Sequence, residues 1–168
     1  MVGRLPSDDQ EQFLELWQLL LKVSFGLRKH MRQVLGQWEL TGPQWRVFRA
    51  LGEAGGSGMM AGQISECLAF THGNTTGIVD KLEEMGLAQR APHPEDRRAI
   101  LVQLTTGGQK VYREVRPAFE QRVGELLACL SPAEAAQCAR LLGRLLEHLR
   151  ATEPGAEEAP EVSGRSPC

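Results

Sequence analysis

Apolar residues recur at three- and four-residue steps along most of the chain, and the period breaks at a few identifiable points. From about 9 to 38, Phe13, Trp17, Leu20, Leu21, Phe25, Met31, Val34, Leu35 and Trp38 line one face of a long amphipathic helix. Thr41-Gly42-Pro43-Gln44 then reads as a capping box with proline just inside the helix start. The helix it opens carries Trp45, Val47, Phe48 and Leu51 and stops at Gly55-Gly56. A short helix from Met59 or Met60 to Leu68 turns Ile64 and Leu68 inward, and Phe70-Thr71-His72-Gly73 breaks it. Thr71 caps a further helix with Ile78, Val79, Leu82 and Met85 on one face, and Gly86 fits the left-handed residue that ends it.

After Leu87 the pattern changes. Ala88-Gln89-Arg90 reads as a strand, 91–98 as a polar turn bearing prolines, and 100–104 as a returning strand, which together make a β-hairpin. Thr106-Gly107-Gly108-Gln109 is a second candidate capping box. The helix behind it holds Val111, Val115, Phe119, Val123, Leu126 and Leu127, and Pro117 inside it predicts a kink or loosening near 113–117. Ser131-Pro132-Ala133-Glu134 is the clearest start signal, and its helix carries Leu141, Leu142, Leu145, Leu146 and Leu149. The expected fold is mainly α: four helices, a hairpin and two more helices, forming one domain over 1–150. Its compact centre spans about 41–104, flanked by long helices at about 9–38 and 106–150. Three long apolar stripes around so small a centre favour an intertwined two-fold dimer.

At 168 residues, the chain suits one domain with a real core, and 42% apolar with 24% charged residues is ordinary for a globular protein. No apolar run reaches the roughly 20 residues a bilayer span needs, and the polar start lacks a signal-peptide core. A soluble cytoplasmic protein is expected, with no membrane partner. Residues 151–168, rich in Pro, Gly, Glu and Ala, are expected to form a disordered acidic tail. That tail carries a net −3; the rest of the chain has 18 basic and 17 acidic residues. Any affinity for nucleic acid must then come from a local basic feature.

Of the four cysteines, Cys67, Cys129 and Cys138 lie in apolar helical patterns and read as buried small hydrophobes in a reducing compartment; Cys168 ends the chain. No Cys/His cluster has zinc spacing. Gly55-Gly56-Ser57-Gly58 lacks the lysine of a phosphate-binding loop, and no nucleophile elbow or His-Glu-x-x-His is present. No enzyme and no cofactor is therefore expected.

The stretch 60–104 carries the functional signal. A short helix, a tight break, a second helix and a hairpin form a winged helix–turn–helix, whose second helix enters the major groove of double-stranded DNA N-terminus first. The residues so placed are Thr71, His72, Gly73, Asn74, Thr75 and Thr76, short and polar, with Asn able to pair bidentately with adenine. On its own the segment also fits an ordinary capped surface helix. The hairpin tip reads Pro92-His93-Pro94-Glu95-Asp96-Arg97-Arg98. Arg97 and Arg98 suit phosphate contact or a narrow minor groove, Asp96 can hold one of them, and Arg90 on the outgoing strand joins the set. A solvated charge cluster is the plainer alternative there.

The segments LTGPQWRVFRAL (40–51), GNTTGIVDKLEEMGLAQR (73–90) and EDRRAILVQLTTGG (95–108), in this helix order, resemble the multiple antibiotic resistance regulator (MarR) family over about 10–150. The resemblance implies a transcriptional regulator, in the leading reading a ligand-responsive repressor that binds a palindromic operator. It implies a homodimer joined through its first and last helices, each wing reaching the minor groove. Arg98 then falls at the position that enters that groove, and Asp96 at the one that orients it. The chain departs from the pattern in having Gly77 where many members carry arginine, no cysteine in the first helix, and Arg46 directly after Trp45. Small anionic aromatics bind many members between the dimer helices and the reading domain. Trp17, Phe25, His30, Trp45 and Arg46 are the candidates for such an effector. A thiol-based redox regulator and a winged-helix interaction module without DNA binding remain the alternatives.

Overall fold

Three 3.6-residue patterns become the longest helices of the computed structural model, which describes residues 7–68, 71–93 and 99–152. In chain order the elements are α1 (Ser7–Leu35), α2 (Gly42–Ala54), β1 (Met59–Met60), α3 (Ala61–Leu68), α4 (His72–Glu84), β2 (Ala88–Pro92), β3 (Ile100–Leu104), α5 (Thr106–Leu127) and α6 (Pro132–Thr152). Short 3₁₀ turns at Gly36–Trp38 and Gly55–Ser57 follow α1 and α2. The chain divides into two compact units, one ending at Phe119 and the other beginning at Glu120 within α5. The expected tail begins inside α6, which runs on to Thr152; its remainder, 153–168, and residues 94–98 of the wing tip, Asp96, Arg97 and Arg98 included, lie outside the described residues.

Local chemistry sets most of the boundaries. The Thr41 capping box forms: Thr41 Oγ1 accepts from the Gln44 N–H at 3.3 Å, and the Thr41 N–H donates to Gln44 Oε1 at 2.8 Å. Ser131 and Glu134 repeat the exchange at the start of α6, and the hydrogen bonds Glu134 accepts there lower its pKa below the ordinary carboxylate value. Helix α4 ends as the sequence predicts. Gly86 has φ 69°, its N–H bonds the Glu83 carbonyl at 2.8 Å, and the Leu87 N–H bonds the Leu82 carbonyl at 2.9 Å. This paired pattern is the Schellman motif.

Four expectations need correction. Helix α1 stops at Leu35 rather than Trp38, because the chain tightens into the 3₁₀ turn and reverses at Glu39, whose φ is 58°. Met59 and Met60 are a strand rather than a helix start, pairing with Val102 and Leu101. The hairpin thereby becomes a three-stranded antiparallel sheet of order β1-β3-β2, in which β1 covers one open edge of β3. The cap of α5 is Thr105, not Thr106: its Oγ1 accepts from the Gly108 N–H at 2.9 Å and donates to the Gly86 carbonyl at 2.7 Å. That hydroxyl ties the end of α4 to the start of α5. Here Gly108 is required by space, since a Cβ would stand 1.9 Å from the Leu87 carbonyl oxygen. Finally, Cys129 and Cys138 are exposed rather than buried: Cys138 lies on α6, which has no buried residue, and Cys129 lies in the turn between α5 and α6; Cys67 is half-buried against the core.

The core of the first unit gathers Trp45, Val47, Phe48 and Leu51 of α2, Ile64 and Leu68 of α3, Ile78, Val79 and Leu82 of α4, Val102 and Leu104 of β3, and Tyr112 and Val115 of α5. Those of α2, α3 and α4 are residues the periodicity assigns; in α5 it assigns Val115, whereas Tyr112 is buried and Val111, expected inward, is only partly so. By contrast Phe13, Trp17, Val23 and Phe25 of α1 are exposed, and so are Leu141, Leu142, Leu146 and Leu149 of α6. Among the described residues no helix is long and apolar enough to cross a membrane.

Candidate nucleic-acid interface

The first turn of α4 combines a capped N-terminus with a row of small polar side chains. Thr71 is extended at φ −68° and ψ 151°, and its Oγ1 accepts from the Asn74 N–H at 3.3 Å. The other first-turn N–H groups of a helix have no intrahelical acceptor, which makes such a terminus an anion site. Thr71, Gly73, Asn74, Thr76 and Gly77 are exposed; the side chain of His72 lies outside the description.

Thr75 corrects the sequence reading, which had it facing outward. It is 0% exposed, and its hydroxyl lies 2.8 Å from Ser65 Oγ, which in turn lies 2.9 Å from the Ala61 carbonyl oxygen. Ser65 has one proton, so the satisfied arrangement is a relay: Thr75 donates to Ser65, and Ser65 donates to Ala61. A buried hydroxyl pair of this kind sets how α3 and α4 meet. Nothing in the apolar period announces Ser65, whose position on α3 reads simply as polar.

A second brace comes from α2. Arg46 Nη2 donates to the Leu68 carbonyl at 2.6 Å, capping the C-terminus of α3 just before the break into α4. Burial, then the charge of Arg49, lowers the Arg46 pKa below its ordinary value. Arg46 therefore acts within the reading module rather than beside Trp17 and Phe25, which are 60% and 66% exposed on α1. Trp45 is 3% exposed in the core, with Phe119 at 5.0 Å and Tyr112 at 6.1 Å between ring centroids. Its indole Nε1 is buried without a hydrogen-bond partner. His30 is half-buried on α1. The structure does not bring the five candidate effector residues into one cavity. Two surface cavities are lined instead by residues including Gly52, Leu104, Tyr112 and Arg113, and by Ser57, Pro92, His93 and Gln103.

Charge on α4 and the hairpin is internally paired among the described residues. Lys81 Nζ meets Glu84 Oε2 at 2.6 Å. Arg90 meets Asp80 at 2.8 Å and also Glu83. Arg90, expected among the DNA-facing cations, is thus held by two carboxylates through its Nη1. The Asp80 and Glu83 spacing on α4, followed by arginine just past a tight turn, is the signal that would have found the pair. Among the described residues, no cluster of three metal-binding side chains exists.

Comparison with known proteins converges on this module. A family model described as MarR family matches residues 38–99. The HTH-type transcriptional regulator YfiV of Bacillus subtilis is 32% identical over 125 residues, covering 71% of this chain and 74% of YfiV. A mutant MarR from E. coli, solved in complex with operator DNA, superposes with a TM-score of 0.72 at 25% identity, covering 80% of this chain and 96% of that one. AbsC, a MarR family regulator from Streptomyces coelicolor, gives a TM-score of 0.79 at 22% identity over 89% of this chain and 100% of its own, a likeness of fold. With its three-stranded wing sheet, its α3–α4 reading unit and these relatives, the chain belongs to the MarR family of helix–turn–helix transcriptional regulators.

Proposed function

We propose that this regulator works in the cytoplasm as a homodimer, without catalysis, binding a palindromic operator in double-stranded DNA and repressing the genes behind it. The observation that carries the reading is the exposed edge Thr71, Gly73, Asn74 and Thr76 at the start of α4, braced from beneath by Thr75 and Ser65. Such an edge fits the major groove, where an Asn amide reads adenine. The domain reading of 1–150 as one unit, with a reading module over about 41–104, belongs to this proposal. So does the role of Asp96, Arg97 and Arg98. With Lys81 and Arg90 already in ion pairs, phosphate contact near the reading helix falls to Arg97 and Arg98 at the wing tip. The uncovered apolar residues of α1, and those of α6, support association with a second copy.

Repression by such a dimer is geometric. Two reading helices must stand about one DNA turn, roughly 34 Å, apart, and an effector that prefers another spacing releases the operator by its differential affinity. Arg98→Ala tests the DNA reading. Operator affinity in a mobility-shift assay at fixed salt falls while the dimer persists; unchanged affinity overturns the proposal.

A further inference from the structure

Arg90 occupies an unusual position between the two parts of the module that are to meet DNA. It is the third residue of β2, opposite Val102 of β3. Its backbone N–H donates to Glu83 Oε1 at 2.7 Å. Its Nη1 reaches the other oxygen of Glu83 and, at 2.8 Å, Oδ1 of Asp80. Asp80 and Glu83 lie three residues apart on the last turns of α4, so one guanidinium and one amide bind the hairpin's outgoing strand to the reading helix. The connection between them is short and fixed by the turn at Gly86. Both contacts are made by Nη1, so the two carboxylates together fix where the guanidinium sits. Its side chain, 34% exposed, is partly sheltered from the screening that weakens surface pairs.

We propose that Arg90 is a positioning residue, a strut that holds the wing at a set angle to α4 so that base reading and wing contact occur together. This rests on the DNA-binding reading above. Two binding elements on one module add their affinities only when their geometry lets both engage at once. Without the strut the hairpin swings, and the wing and the helix engage in turn. Nonspecific binding, which needs phosphates alone, is little affected.

The experiment has one arm without DNA and one with it. In the free full-length protein, hydrogen exchange is compared between wild type and Arg90→Ala. Exchange about tenfold faster at 88–92 and 100–104, with the α2 core unchanged, is expected for a sub-global opening; unchanged exchange there overturns the strut whatever becomes of the DNA reading. In the DNA arm, an operator selected by the wild-type protein is compared with random duplex over a salt series. Arg90→Ala is expected to weaken the operator about tenfold while nonspecific affinity and salt slope hold. Placed in an Asp80→Asn/Glu83→Gln background, Arg90→Ala should add nothing further. Uniform weakening on both DNAs with the salt slope reduced by about one makes Arg90 a phosphate contact and overturns the proposal. A lower melting temperature with the operator preference intact gives it a stability role alone and also overturns it.

Discussion

The reading module and the long helix α1 use their apolar residues in opposite ways. In α2, the inward stripe of Trp45, Val47, Phe48 and Leu51 is buried within the chain. In α1, Phe13, Trp17, Leu21 and Phe25 follow an equally regular four-residue step and are exposed. Helix α6, described by itself, has no buried residue at all. Periodicity therefore identifies a face that will be covered, but not by which chain. The module has its own core, capped ends and cross-braces. The α1 face is left uncovered within the chain, and the proposed association with a second copy is what would cover it.

That contrast can be broken from either side. The largest effect is expected from Leu142→Glu combined with Leu146→Glu on α6. Association should be lost, seen as a monomer by sedimentation, while hydrogen-exchange protection in the α2 core survives. Phe48→Ala, at a residue with no exposure, should cost about 3–5 kcal/mol in denaturant unfolding, the usual price of removing a core aromatic ring.

Asn74→Ala separates reading from folding. The exposed side chain carries little stability, so the melting temperature should hold, while operator affinity drops by about 1–3 kcal/mol at the base it reads. Thr75→Val, one residue along, should do the reverse. It keeps the shape but removes one hydroxyl of the relay to Ser65, costing stability of about 1 kcal/mol with a smaller loss of operator affinity. Equal phenotypes for the two variants would erase the inner and outer faces assigned to this turn.

The smallest effect concerns pH at the start of α6. Glu134 has a pKa lowered by hydrogen bonds from Ser131. The folded state thus binds its proton more weakly than the unfolded chain does. The cap contributes above the unfolded carboxylate pKa and is lost as pH falls through the lowered folded value. Glu134→Gln, which keeps the box but cannot ionise, should flatten that part of an acid-unfolding curve.

What the sequence made legible follows from how local each cause is. The Thr41 and Ser131 boxes, the Gly86 stop and the inward faces of α2 to α4 depend on residues within one or two turns, so pattern suffices. The Met59–Met60 strand has no period of its own and exists because β3, far along the chain, offers an edge where Met59 pairs with Val102 and Met60 with Leu101. Thr105 and Thr106 are adjacent threonines before two glycines, and only the approach of the Gly86 carbonyl selects Thr105. In the candidate site, Thr71, Gly73, Asn74 and Thr76 were legible as a polar first turn. Thr75 was not, because helical phase inside a short polar run is set by what packs beneath it. The two carboxylates that hold Arg90 were not legible either, because they come from another element and meet it only in space.

The central claim is that the outer edge of α4 reads bases as one half of a two-fold pair. Selection from a random duplex pool with the full-length protein tests it most directly. The account predicts enrichment of an inverted repeat whose half-site centres lie about 10 base pairs apart, lost with Asn74→Ala. A pool that enriches nothing, or an enriched sequence without two-fold symmetry, would contradict it.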